Sequence, residues 1–191
     1  MPPAYEGIYR KIALRLMPLL FFCYILAYID RVNVGFAKLA MKAEPWFSDA
    51  VFATGSGIFF IGYFLFEVPA NVILHRIGAR IWITRIMISW GILSCCCALS
   101  DSPALFYTFR FLLGFAEAGF FPGVILYLTY WFPARARAKM VSLFFIAVPL
   151  SNVIGAPLST LILDVHGLGL KGWQWLFLLE GAPSLVLGFV V

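Results

Sequence analysis

The chain has 191 residues, 63% of them hydrophobic and 12% charged, with a formal net charge of +5. A soluble domain of this size lacks the interior to hide so much apolar side chain, so lipid must be its solvent over much of the surface. The positive charge does not point to nucleic acid, because the basic residues sit between apolar runs, where membrane topology places them.

Six apolar runs follow one another, at residues 16–37, 51–74, 81–99, 103–132, 141–163 and 173–191. Each is near the ~20 residues that cross a bilayer as a helix, and none alternates as a transmembrane strand would. The predicted fold class is an all-α membrane protein, a bundle of six transmembrane helices. Residues 1–15 are expected to be a cytoplasmic N-terminal segment and residues 16–191 the bundle. The first run is too long for a signal core and no small-residue cleavage site follows it, so the reading retains it as a span.

Arg10, Lys11 and Arg15 precede the first span. Arg76 and Arg80 lie between the second and third, and Arg135, Arg137 and Lys139 between the fourth and fifth. The alternate connections hold Lys38, Lys42 and Lys171, diluted by Glu44, Asp49, Asp101 and Asp164. The positive-inside rule then puts the N-terminus in the cytoplasm.

The first span carries Asp30 and Arg31 at the end of a long apolar run, with Tyr28 within a turn. Ionised groups inside a bilayer are costly and mark pathways. The second span holds Glu67, just before Pro69, with Tyr63 one turn away; Glu67 reads as an inner gate or an interhelix hydrogen bond. In the third, Arg85 is close enough to the surface to snorkel, and Cys95-Cys96-Cys97, like Cys23 in the first, reads as small apolar filler with no disulfide. The fourth starts at Pro103, a residue suited to a first helical turn, and carries Arg110 and Glu117, seven residues apart and so on one face. Gly119-Phe120-Phe121-Pro122-Gly123 is a candidate bend, because Pro122 removes a backbone donor. Gly55, Gly57, Gly62, Gly114, Gly119 and Gly123 read as points of close helix packing. Asn152, between Pro149 and Pro157 in the fifth span, is a candidate cavity residue. Glu180 in the sixth is assigned to packing or gating. The chain ends within its last apolar run at Val191 without a basic tail, and the reading is that a second bundle is missing.

Depth allows the charges of the first and fourth spans to meet. At 1.5 Å per residue, Asp30 lies ~20 Å from the inner end of its helix, Glu117 ~20 Å and Arg110 ~10 Å from the outer end of theirs. The expectation is one polar cavity in which arginine holds an anion and a carboxylate takes up a proton, since an arginine does not release its own. Spans one and four open two successive three-helix units, the positions that face each other in three-plus-three inverted repeats. No catalytic, cofactor or metal signature appears. His75 and His166 lie in connections on opposite sides, and there is no phosphate-binding glycine loop. The reading is of a protein that is not an enzyme and takes no cofactor or metal.

The motifs Tyr28-Ile29-Asp30-Arg31-Val32-Asn33-Val34-Gly35-Phe36-Ala37, Glu67-Val68-Pro69-Ala70-Asn71, His75-Arg76-Ile77-Gly78-Ala79-Arg80, Arg110 through Gly119, and Gly172-Trp173-Gln174-Trp175 resemble those of the anion:cation symporters of the major facilitator superfamily. The resemblance covers essentially the whole chain and corresponds to the N-terminal half of that family's twelve-helix fold. Asn71 and His75 depart from the superfamily's Gly-x-x-x-Asp-Arg-x-Gly loop, whereas Arg76 and Gly78 remain. The resemblance implies proton-coupled symport of a small organic anion, such as tartrate, phthalate or a sugar acid, across a bacterial inner membrane. It implies Asp30 and Glu117 as proton sites, Arg31 and Arg110 as carboxylate or charge partners, and Tyr28 and Tyr63 as cavity contacts. Asn152 joins these as a substrate-binding candidate, with Glu67, Arg76, Gly78 and Arg80 in gating or structural roles. The expected partners are the anion, protons, the lipid bilayer and a second six-helix half. The rival readings are sodium coupling and a membrane sensor that binds an anion without moving it.

Overall fold

The computed structural model describes residues 3–190, apart from the side chains of residues 3–6, 8 and 135. The first two residues of the expected N-terminal segment, the Arg135 side chain and Val191 lie outside what it describes. Eight helices follow in order: α1 (Pro3–Met41), α2 (Asp49–Ile77), α3 (Ala79–Cys97), α4 (Pro103–Glu117), α5 (Phe120–Trp131), α6 (Ala134–Phe145), α7 (Ala147–Leu163) and α8 (Gly172–Val190). Taken with α4–α5 as one span and α6–α7 as another, six stretches are long and apolar enough to cross a membrane.

Local chemistry sets these boundaries. Ser48 caps α2 by accepting the Val51 N–H at 3.2 Å. Ser102 caps α4 in the same way from Leu105, with Pro103 at the first helical position, where a missing donor costs nothing. Gly78 parts α2 from α3 at φ +87°, and Gly119 parts α4 from α5 at φ +83°, a region that side chains disfavour. The fourth span thus breaks within its Gly119–Gly123 segment, at Gly119 rather than at Pro122. The segment expected to lead into the first span is part of the same helix from residue 3 onward, because Pro18 alone interrupts 39 residues of helix-compatible sequence. At 1.5 Å per residue α1 is ~58 Å long, well beyond a ~30 Å hydrocarbon core.

The bundle packs α3 along α8, α2 along α4, and α1 against α7 and α8. Small residues allow these approaches. A Cβ added at Gly114 would collide with the Phe59 carbonyl, and one at Gly188 would meet the Ile88 side chain at 2.8 Å. Gly57, by contrast, has nothing within 4 Å of such an atom. Trp90, Phe59, Phe106, Phe144 and Phe177 are fully buried, whereas Phe60, Phe64 and Val68 of α2 and Val186 and Phe189 of α8 point outward. Apolar groups both inside and outside suit a molecule solvated by lipid chains.

One end of the bundle is tied across the chain. Glu44, buried in the α1–α2 connection, accepts from Lys171 at 2.7 Å through both carboxylate oxygens and from the Trp173 indole at 3.0 Å. Gln174 donates to the Ala98 carbonyl at 2.8 Å, adding the α3–α4 connection to the same tie. Burial works to raise the Glu44 carboxyl, and the hydrogen bonds from Lys171 and Trp173 outweigh it, so the group sits below the ordinary glutamate range.

Candidate functional site

The middle of α1 presents two polar faces. Tyr24, Tyr28 and Arg31 recur at steps of four and three residues and share one face. Asp30 and Asn33 lie on another. Adjacent residues on a helix point about 100° apart, and that single step sends Asp30 and Arg31 into different surroundings.

Arg31 faces a cavity of about 180 Å³ lined by Tyr24, Tyr28, Tyr63, Glu117, Phe120, Phe121 and Phe145 as well as itself. Its Nε donates to Glu117 Oε1 at 2.7 Å, with the arginine side chain 26% exposed and the glutamate 2%. The guanidinium carbon lies 5.0 Å from the Tyr63 ring centre, 5.3 Å from Tyr28 and 5.8 Å from Phe59, an aromatic setting that favours a cation. Glu117 is the last residue of α4, and the break at Gly119 turns Phe120 and Phe121 of α5 to close the cavity behind it. The second oxygen of Glu117 has no hydrogen-bond partner among the described residues.

Asp30 is buried on the far side of α1. It accepts the Trp90 indole N–H at 2.8 Å, the Ser94 hydroxyl, and the Asn33 amide at 3.4 Å. Arg110 is likewise buried and close enough to act on Asp30 by charge, yet no ion pair joins them among the described residues. The Arg110 guanidinium rests 4.7 Å from the Phe59 ring centre, with Nε and Nη1 lacking a hydrogen-bond partner among the described residues. The Phe59 ring thus neighbours both guanidiniums, that of the cavity and the buried one.

Of the residues singled out from the sequence, Arg31, Glu117, Tyr28 and Tyr63 line one cavity, and Asp30 and Arg110 lie behind it. Asn152 is exposed on α7, its amide donating to the Val148 carbonyl at 3.0 Å, and it does not line the cavity. Glu67 is half-buried one turn from Tyr63 and also stands outside the lining. Arg76, Gly78 and Arg80 gather at the α2–α3 turn. Phe59, Trp90, Ser94 and Asn33 were not singled out by type. The signal for the α3 pair was available: Trp90 and Ser94 are four residues apart in an apolar run, and so share a face. A larger groove of about 480 Å³ between α1 and α6 is lined almost wholly by apolar groups and lies away from the ionic ones.

The chain has recognisable relatives. The profile of the Major Facilitator Superfamily matches residues 20–191. A protein of Agrobacterium vitis named for tartrate transport is 57% identical over 183 residues, 95% of this chain and 41% of its own length. A metabolite transport protein of Pseudomonas putida, NicT, is 54% identical over 187 residues, 97% of this chain and 43% of its own. The crystal structure of a bacterial homologue of the human lysosomal transporter Spinster, inward-facing and occupied, superposes with a TM-score of 0.77 at 23% identity, over 95% of this chain and 43% of that one. The chain thus spans about two fifths of the relatives it matches, and its six spans correspond to one half of such a fold. With the matching profile running across nearly all of its length, the chain belongs to the Major Facilitator Superfamily.

Proposed function

We propose that this chain forms one half of a secondary transporter that carries a small organic anion together with protons, by alternating access. The observation behind the reading is the Arg31–Glu117 pair, set in an aromatic-lined cavity within an apolar bundle. A carboxylate ligand entering that cavity competes with Glu117 for the guanidinium, since Arg31 offers further donors in a planar fork. A buried carboxylate deprived of its cation is neutralised by a proton instead. Anion binding at Arg31 and protonation of Glu117 therefore favour each other. Tyr28 and Tyr63 flank the exchange and supply hydroxyls to a ligand; Asp30, with Arg110 beside it, is the second proton site. The names of the tartrate and metabolite transporters favour an organic anion as the cargo and fit the anion:cation symporter group.

In this reading a second six-helix bundle completes the cavity, the membrane is a bacterial inner membrane, and the N-terminal end of α1 faces the cytoplasm. The two bundles rock about the central site, as superfamily architecture allows. The test is uptake of labelled tartrate and related carboxylates by the full-length transporter in vesicles, under an imposed pH gradient. Glu117→Gln should abolish gradient-driven accumulation while leaving exchange of internal for external anion. Undiminished proton-driven accumulation in that variant would remove Glu117 from the coupling step. Replacing sodium at fixed pH should leave uptake unchanged.

A further inference from the structure

Four acidic side chains are buried among the described residues: Asp30, Glu44, Glu117 and Glu180. Three have a cation nearby: Lys171 on Glu44, Arg31 on Glu117, and Arg110 acting on Asp30. Glu180, on α8, has no ion pair among the described residues. Its Oε1 accepts the Ser159 hydroxyl of α7 at 2.8 Å, and its Oε2 has no partner among the described residues.

The neighbour that matters is Asn33 of α1, which is fully buried. Its amide donates to Asp30 at 3.4 Å and also reaches toward the Glu180 carboxyl, while its own carbonyl oxygen is unpartnered among the described residues. Asn33 Oδ1 and Glu180 Oε2 are thus two buried acceptor atoms with no hydrogen-bond partner among the described residues. A carboxyl that holds a proton becomes a donor and also removes a charge that nothing nearby compensates. The groups around Glu180 offer no substitute. Asp30 and Asn33 come from α1, Ser159 from α7, and Ser94 and Cys95 from α3, both packed against Gly181; none is a cation.

We propose that Glu180 carries a proton in this conformation and, through Asn33, acts as a positioning residue for the proton on Asp30. Neither carboxyl lines the Arg31 cavity; both belong to one polar strip that runs Ser94, Asp30, Asn33, Glu180, Ser159 across four helices. Charges so close resist ionising together, so their protons come off as a pair rather than independently. The inference rests on the proton-coupled reading for its role in transport, but not for the proton itself.

The test is infrared spectroscopy of the protonated-carboxyl stretch in the reconstituted full-length transporter without substrate, alongside the pH dependence of uptake. Glu180→Gln should delete one protonated-carboxyl band, and Asp30→Asn should shift that band. Ser159→Ala, which keeps the carboxyl and removes its hydroxyl donor, should raise its frequency, and this variant decides the question if Glu180→Gln does not fold. The midpoint of the uptake pH profile should move by half a pH unit or more in Glu180→Gln. No band lost in Glu180→Gln, no band moved by Ser159→Ala, or a band indifferent to Asp30→Asn would overturn the proposal. Wild-type uptake that ignores a pH gradient would instead sink the proton-coupled reading, while the infrared bands would still report on Glu180.

Discussion

Arg31 is the residue on which the cavity turns. It closes one ion pair and touches three rings, and its geometry is that of a planar guanidinium rather than of a point charge. Lysine keeps the charge but neither the fork nor the flat stacking surface. Arg31→Lys is therefore expected to fold and to raise the substrate KM by about tenfold, a loss of ~1.4 kcal/mol of binding, measured by initial-rate uptake. A KM equal to that of the wild type would show that the ligand does not meet this side chain. Arg31→Ala differs in kind, because it leaves Glu117 buried without its partner, a change that costs ~3–5 kcal/mol in comparable buried pairs. Arg31 and Glu117 were legible in the sequence as charges within the spans, since ionic residues stand out in apolar runs; the structure pairs them. The sequence also shows that Asp30, Arg31, Arg110 and Glu117 share a depth. It does not show which face each one takes, because a rotation of a few tens of degrees in α1 decides that, and the partners that set it, Trp90, Ser94 and Phe59, look like ordinary packing residues.

Among the elements, the α2–α4 contact leaves little room. Gly114 faces the Phe59 backbone and Gly62 faces the Phe111 carbonyl, so the two helices meet backbone to backbone. Gly114→Val should push α2 away from α4 and displace Phe59 from beside the two arginines. Overpacking of this kind costs ~1–3 kcal/mol, and the expected result is a lower melting temperature in detergent together with loss of substrate binding. Gly57→Ala, at a position open to space, is the matched control and should leave both unchanged. A Gly114→Val protein as stable as wild type would show that this contact is slack. The six spans were readable from run length alone. The breaks at Gly119 and near Ile146 were less so, because they lie inside continuous apolar runs where hydropathy carries no signal; only the glycine at 119 marked the first of them.

At the scale of the molecule, the tie of Glu44 to Lys171 and Trp173 joins the ends of α1 and α8. Its pH dependence follows from the lowered Glu44 carboxyl. A group whose value falls on folding contributes stability that is complete above its unfolded value and is lost as pH falls through the folded one. Acidification from neutral pH should therefore leave the tie intact through the ordinary glutamate range and release it only below that range. Lys171→Met should bring the release to higher pH, visible as a change in Trp173 fluorescence during an acid titration. An identical titration in wild type and variant would show that the ion pair contributes nothing. Neither Glu44 nor Lys171 was marked by the sequence as more than a topological charge, since 127 residues separate them and nothing local foretells their meeting.

The adjacency of Asp30 and Arg31 has a mechanical consequence. One peptide bond links the cation at the cavity wall to the acid lodged in the bundle's interior, and both ride on one helix. If cargo meets Arg31 as proposed, a turn of that helix under the load would strain Asp30 against its indole and hydroxyl anchors, and no separate messenger would be needed.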